Sequence, residues 1–68
     1  MKSLREARES LGYSRAEAAF AFRQETHWRI GLSTIRNYET GEPTTSPLGQ
    51  RYVKWLRVKE QQAAGTGA

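Results

Sequence analysis

The sequence predicts an all-α domain, a small bundle of four or so helices, and three observations carry that prediction. Two serine capping boxes stand only a few residues apart, at Ser3-Leu4-Arg5-Glu6 and Ser14-Arg15-Ala16-Glu17. A Ser46-Pro47 start is followed by apolar residues at helical intervals. Nowhere does the chain show the every-other-residue alternation of a strand, or an internal repeat.

Each element follows from its local chemistry. In the first box the Ser3 oxygen accepts from the third helical N–H while Glu6 reaches back to the cap. Leu4, Ala7, Arg8 and Leu11 then recur at helical spacing, and Gly12 supplies a left-handed stop. The second box starts a helix whose Ala18, Ala21, Phe22 and Glu25 share one face, with small Ala18 and Ala19 permitting close helix approach. Residues 23–29 (Arg-Gln-Glu-Thr-His-Trp-Arg) lengthen that helix to about Thr26 before a short turn. Gly31 is an acceptable N-cap for a third helix over residues 32–40, with Gly41 as its stop. Pro43 and Pro47 forbid a helix through residues 42–46. Serine as cap and proline at the first position then open a fourth helix, with Leu48, Tyr52, Trp55, Leu56 and Lys59 on one stripe. Residues 1–60 thus form the domain, and 61–68 (Gln-Gln-Ala-Ala-Gly-Thr-Gly-Ala) a flexible tail with nothing to pack.

Composition narrows the function. At 68 residues the chain makes one domain, near the lower limit for a self-sufficient core. With no cysteine, no aspartate and one histidine, it has neither a disulfide framework nor a metal set, and no cofactor is expected. His27 alone gives no catalytic constellation, nor does Ser33, so an enzyme is not expected. No apolar run reaches the roughly 18–20 residues of a membrane span, and no signal peptide is visible. No membrane association and no small-molecule ligand are expected. The net charge of +4, with arginine the main contributor, favours a polyanionic partner.

The most pointed stretch is Leu32-Ser33-Thr34-Ile35-Arg36-Asn37-Tyr38-Glu39-Thr40-Gly41. Ile35 and Tyr38 are inward apolar positions of a short helix. Ser33, Arg36 and Asn37 around them suit base edges and phosphates. Glu39, one turn after Ile35, is costly to place near a small core without a purpose.

These residues resemble the phage repressor and Cro family, the XRE-type helix-turn-helix regulators, over roughly residues 3–56. The matching skeleton is Leu4, Ala7, Arg8, Gly12, Tyr13, Ser14, Arg15, Ala18 and Ala19, then Ile30, Gly31, Ile35, Tyr38, Glu39, Thr40 and Gly41. The resemblance implies a lambda-repressor-like fold. It implies a structural ion pair between Arg8 and Glu39, and base contacts from Leu32, Ser33, Arg36 and Asn37. Arg15 stands where the family commonly has a phosphate-touching glutamine. Thr34, Thr40, Thr44, Thr45 and Arg29 join it as expected phosphate contacts. The chain departs from the family in two places. The segment between Ala19 and Gly41 is about six residues longer than a tight helix-turn-helix needs, and one helix follows the recognition loop where many members have two.

The expected function is sequence-specific transcriptional regulation, with repression by binding a palindromic operator in the major groove the simplest form. The expected partners are double-stranded DNA and a second copy of the chain, in the cytoplasm and on the nucleoid. Origin on a phage or other mobile element is a family expectation. Tyr52, Trp55 and Leu56 are candidates for either core or dimer contact. The alternative is an antitoxin-like or adaptor module in which Tyr52, Trp55 and Trp28 hold a protein partner and DNA is secondary.

Overall fold

A computed structural model of the chain describes residues 3–66, the last three by backbone alone. It is all-helical: α1 spans Leu4–Ser10, α2 Arg15–Thr26, α3 Leu32–Glu39 and α4 Pro47–Thr66. Both capping boxes form with reciprocal bonds. Ser3 Oγ accepts from Glu6 N–H at 3.2 Å, and Ser14 Oγ accepts from Glu17 N–H at 3.1 Å. The Ser14 N–H in return holds the exposed Glu17 carboxyl below the usual carboxylate range. Gly12 takes the left-handed φ of +77° between α1 and α2.

The second helix ends at Thr26, as the sequence predicts, but its stop is unusual. His27 closes it in the left-handed region at φ +63°, a conformation that disfavours a Cβ. Thr26 helps the chain leave, donating its hydroxyl to Phe22 O and accepting from Trp28 N–H. Helix α3 starts after Gly31 and is one residue shorter than the predicted 32–40 segment. Thr40 is its cap, and Gly41 at φ +125° lets Glu42 N–H return to Asn37 O. Ser46 caps α4 through Gly49 N–H.

Helix α4 does not stop near residue 60. It continues through residues 61–66, where the sequence reading placed a tail. Glutamine and alanine are strong helix formers, so the established helix propagates through them. The expected tail residues 67 and 68 lie outside the described residues.

The core is one cluster of Ala7, Ala18, Phe22, Ile35, Tyr38, Tyr52, Trp55 and Leu56, drawn from all four helices. Aromatic rings bind it together. Phe22 meets Tyr52 and Trp55 edge-on at 5.7 and 5.5 Å, and Tyr52 stacks between Tyr38 and Trp55. Tyr52, Trp55 and Leu56 are therefore core residues, all buried, and none is presented to a second copy. Helix α4 is further tied to α2 by Glu25, which accepts from Trp55 Nε1 at 3.2 Å and pairs with Lys59 Nζ at 2.6 Å.

Candidate nucleic-acid interface

The anchor of the site is Glu39, the last residue of α3. Its side chain is 1% exposed and is shared by two arginines. Arg8 of α1 grips it with two bonds, Nε to Oε2 at 2.6 Å and Nη2 to Oε1 at 3.3 Å. The third face of the Arg8 guanidinium donates to Tyr13 O at 2.7 Å, across the α1–α2 corner. Arg15, the first residue of α2, reaches Glu39 Oε1 through Nε at 3.2 Å. This bidentate, charge-assisted arrangement fixes the C-terminal end of α3 to both earlier helices. The Glu39 hydrogen bond raises the Arg8 pKa above its ordinary value despite burial.

With Ile35 and Tyr38 buried and Glu39 clamped, the opposite side of α3 is set outward. Leu32, Ser33, Arg36 and Asn37 are all exposed, and Leu32 at 52% is an apolar side chain left in solvent. These are the four residues expected to touch bases, and they share the outward side of one short, rigid helix. Gly31 offers no side-chain cap, and the first turn of α3 carries no acid, so nothing negative guards its N-terminal end.

The expected phosphate contacts divide. Arg15 is half-buried, its side chain 42% exposed, so it belongs to the Glu39 cluster and to the surface at once. Thr40 is exposed, but its hydroxyl proton is committed to Arg36 O and Asn37 O, so it caps the helix and is not a free donor. Thr34 is half-buried on α3. Thr44 is half-buried, with its backbone close against Gly49 of α4. Thr45 is exposed, and its carbonyl accepts from Gln50 Nε2. Arg29 is exposed on the α2–α3 connection.

That connection separates the residues of the long segment by role. Trp28 turns toward the core and carries the Arg51 guanidinium over its ring at 4.4 Å. Arg23, Gln24, His27 and Arg29 stay at the surface around one hollow. Sequence reasoning did not single out three features: the second arginine on Glu39, the partners of Glu25, and Phe20, which is 66% exposed. A signal for Phe20 was present, since it falls two residues after Ala18 and so on the far side of α2 from the Ala18–Phe22 stripe.

Among the described residues no three His, Cys, Asp or Glu side chains gather as a metal set, and no helix is long and apolar enough to cross a membrane. No protein-family model, curated protein or solved structure matches the chain.

Proposed function

We propose that this chain is a repressor/Cro-like helix-turn-helix domain that reads an operator with α3 in the major groove, as a homodimer on two half-sites. One observation carries the proposal. The buried Arg8–Glu39 pair, with half-buried Arg15 on the same carboxylate, ties down the end of α3 while Leu32, Ser33, Arg36 and Asn37 remain exposed on it. Site-specific reading needs side chains on a rigid element, with arginine and asparagine the side chains best matched to guanine and adenine edges. The +4 charge adds sequence-independent affinity for phosphates. Repression by occlusion is the simplest outcome on this reading, and the nucleoid is where such a protein acts.

The test is selection from a random duplex library, followed by binding of the enriched sequence across a salt series. The expected result is a palindrome with half-sites about 10 base pairs apart. Arg36→Ala should cost about 1–3 kcal/mol on that duplex and relax preference at one position of each half-site. Arg15→Ala should weaken all duplexes alike and flatten the salt slope. Identical behaviour of both variants on selected and random DNA would refute the register. The competing interaction module loses its main surface to the core, since Tyr52 and Trp55 are buried.

A further inference from the structure

The geometry points to one built duplex contact around Arg29: a seat for one backbone phosphate and its deoxyribose, formed where the long α2–α3 connection meets Arg23 and Phe20 of α2. It rests on the DNA-binding reading above and adds residues to it. Arg23 and Arg29 stand between two adjoining hollows. One, of about 370 Å³, is completed by Gln24 and His27; the other, of about 500 Å³, by Phe20, Ile30 and their neighbours. Among the described residues no ion pair or hydrogen bond engages the side chains of Arg23, Arg29, Gln24 or His27. Glu25, the acid nearest in sequence, is turned away to α4, where Trp55 and Lys59 hold it. Two guanidiniums, an amide and an imidazole thus face solvent with no counter-charge, a donor set suited to an anion.

The apolar side decides which anion. Phe20 is the most exposed large hydrophobic side chain of the described residues, and it lies in the hollow that shares both arginines. A free inorganic anion gives a phenyl ring nothing to cover, and an acidic peptide carries no regular apolar unit beside each charge. A nucleic-acid strand does, because every phosphate is flanked by a sugar with an apolar face. Position agrees: Arg29 precedes Leu32 by three residues, so their backbones lie within about 10 Å of each other. That reach corresponds to about three base-pair steps of roughly 3.4 Å along the duplex axis, so one duplex can meet both.

The test uses the intact chain on its selected duplex. Arg23→Gln/Arg29→Gln should lower the slope of log affinity against log salt by about 1 per bound copy and leave base preference unchanged. Arg23→Lys/Arg29→Lys should restore the slope. Phe20→Ser should weaken binding several-fold with the slope intact. Replacing single phosphates by uncharged methylphosphonate should reveal one position per half-site whose effect vanishes in the glutamine variant. Because both arginines are exposed and unpaired, their loss should leave the helical circular dichroism unchanged. An unchanged slope, with normal binding by the parent chain, overturns the seat alone. Absence of any duplex binding by the parent chain overturns the DNA reading and the seat together. Loss of binding to a poly-glutamate peptide without loss of duplex binding would assign the surface to an acidic protein instead.

Discussion

Glu39 concentrates the energetics of this molecule in one carboxylate. Its side chain is 1% exposed and that of Arg8 is 8% exposed, so neither charge has water to fall back on. Such a pair adds little net stability over an apolar pair, yet breaking it leaves a buried charge unmatched. Glu39→Ala should therefore cost about 3–5 kcal/mol in urea unfolding. Arg15→Ala, at the solvent-facing side of the same carboxylate, should cost under about 1 kcal/mol. Equal costs would mean that Arg15 balances the Glu39 charge as strongly as Arg8 does. Tyr52 is the opposite case, a buried polar group without a match: its hydroxyl has no hydrogen-bond partner among the described residues. Tyr52→Phe removes that orphan with no change of ring packing and should stabilise the fold by about 1 kcal/mol. Burial, with the Glu39 charge adding to it, pushes the Tyr52 phenol up to about 12. A raised pKa means the folded state holds its proton longer. This contribution is thus complete below about pH 10, the ordinary tyrosine value, and is lost as pH rises through 12. The phenylalanine variant should lack that part of the alkaline loss when the two proteins are unfolded side by side between pH 9 and 12.

At the scale of elements, α4 contains a glycine that helix propensity alone would remove. Gly49 sits in its first turns, where alanine would ordinarily gain about 1 kcal/mol. A Cβ there would lie 2.8 Å from Thr44 Cα and 2.9 Å from its carbonyl carbon, both backbone atoms of the loop that crosses it. The clash should outweigh the propensity, so Gly49→Ala should destabilise by about 1–3 kcal/mol. A stabilising result, read by thermal melting, would show that the loop can move. The same contrast explains what the sequence made legible. Capping boxes at Ser3 and Ser14, the Gly12 stop and the Ser46-Pro47 start are short-range chemistry, complete within four residues, and all formed. The Arg8–Glu39 pair spans 31 residues and was accessible only through resemblance, and the third partner, Arg15, not at all. Glu25 was on the inward stripe of α2, but the Trp55 and Lys59 that satisfy it lie 30 or more residues away. His27 as a left-handed cap has no sequence signature, because the position favours glycine or asparagine.

For the whole molecule, the proposed DNA-binding function sets the question of how a bundle this small would be selective. Helix α3 is eight residues, about 12 Å long, so a single copy meets only a few base pairs. Phosphate contacts add affinity but no sequence information. On the proposed DNA-binding reading, selectivity comes from a second copy on the same face of the duplex, joined to the first through protein contact or through the DNA. With Tyr52, Trp55 and Leu56 consumed by the core, a protein contact between copies would have to use other surface. Two copies on one duplex would depend strongly on register, because the second binding event gains only when geometry permits both. Inserting about 5 base pairs between half-sites turns one of them to the far side of the helix. Binding should then lose its steepness with protein concentration and fall to the affinity of an isolated half-site. Inserting about 10 base pairs returns the half-sites to one face, and steepness should recover only if the copies reach each other across the longer gap. A titration that is indifferent to all three spacings would mean that the chain reads DNA as a monomer. Its selectivity would then rest on Arg36, Asn37 and their two neighbours on α3 alone.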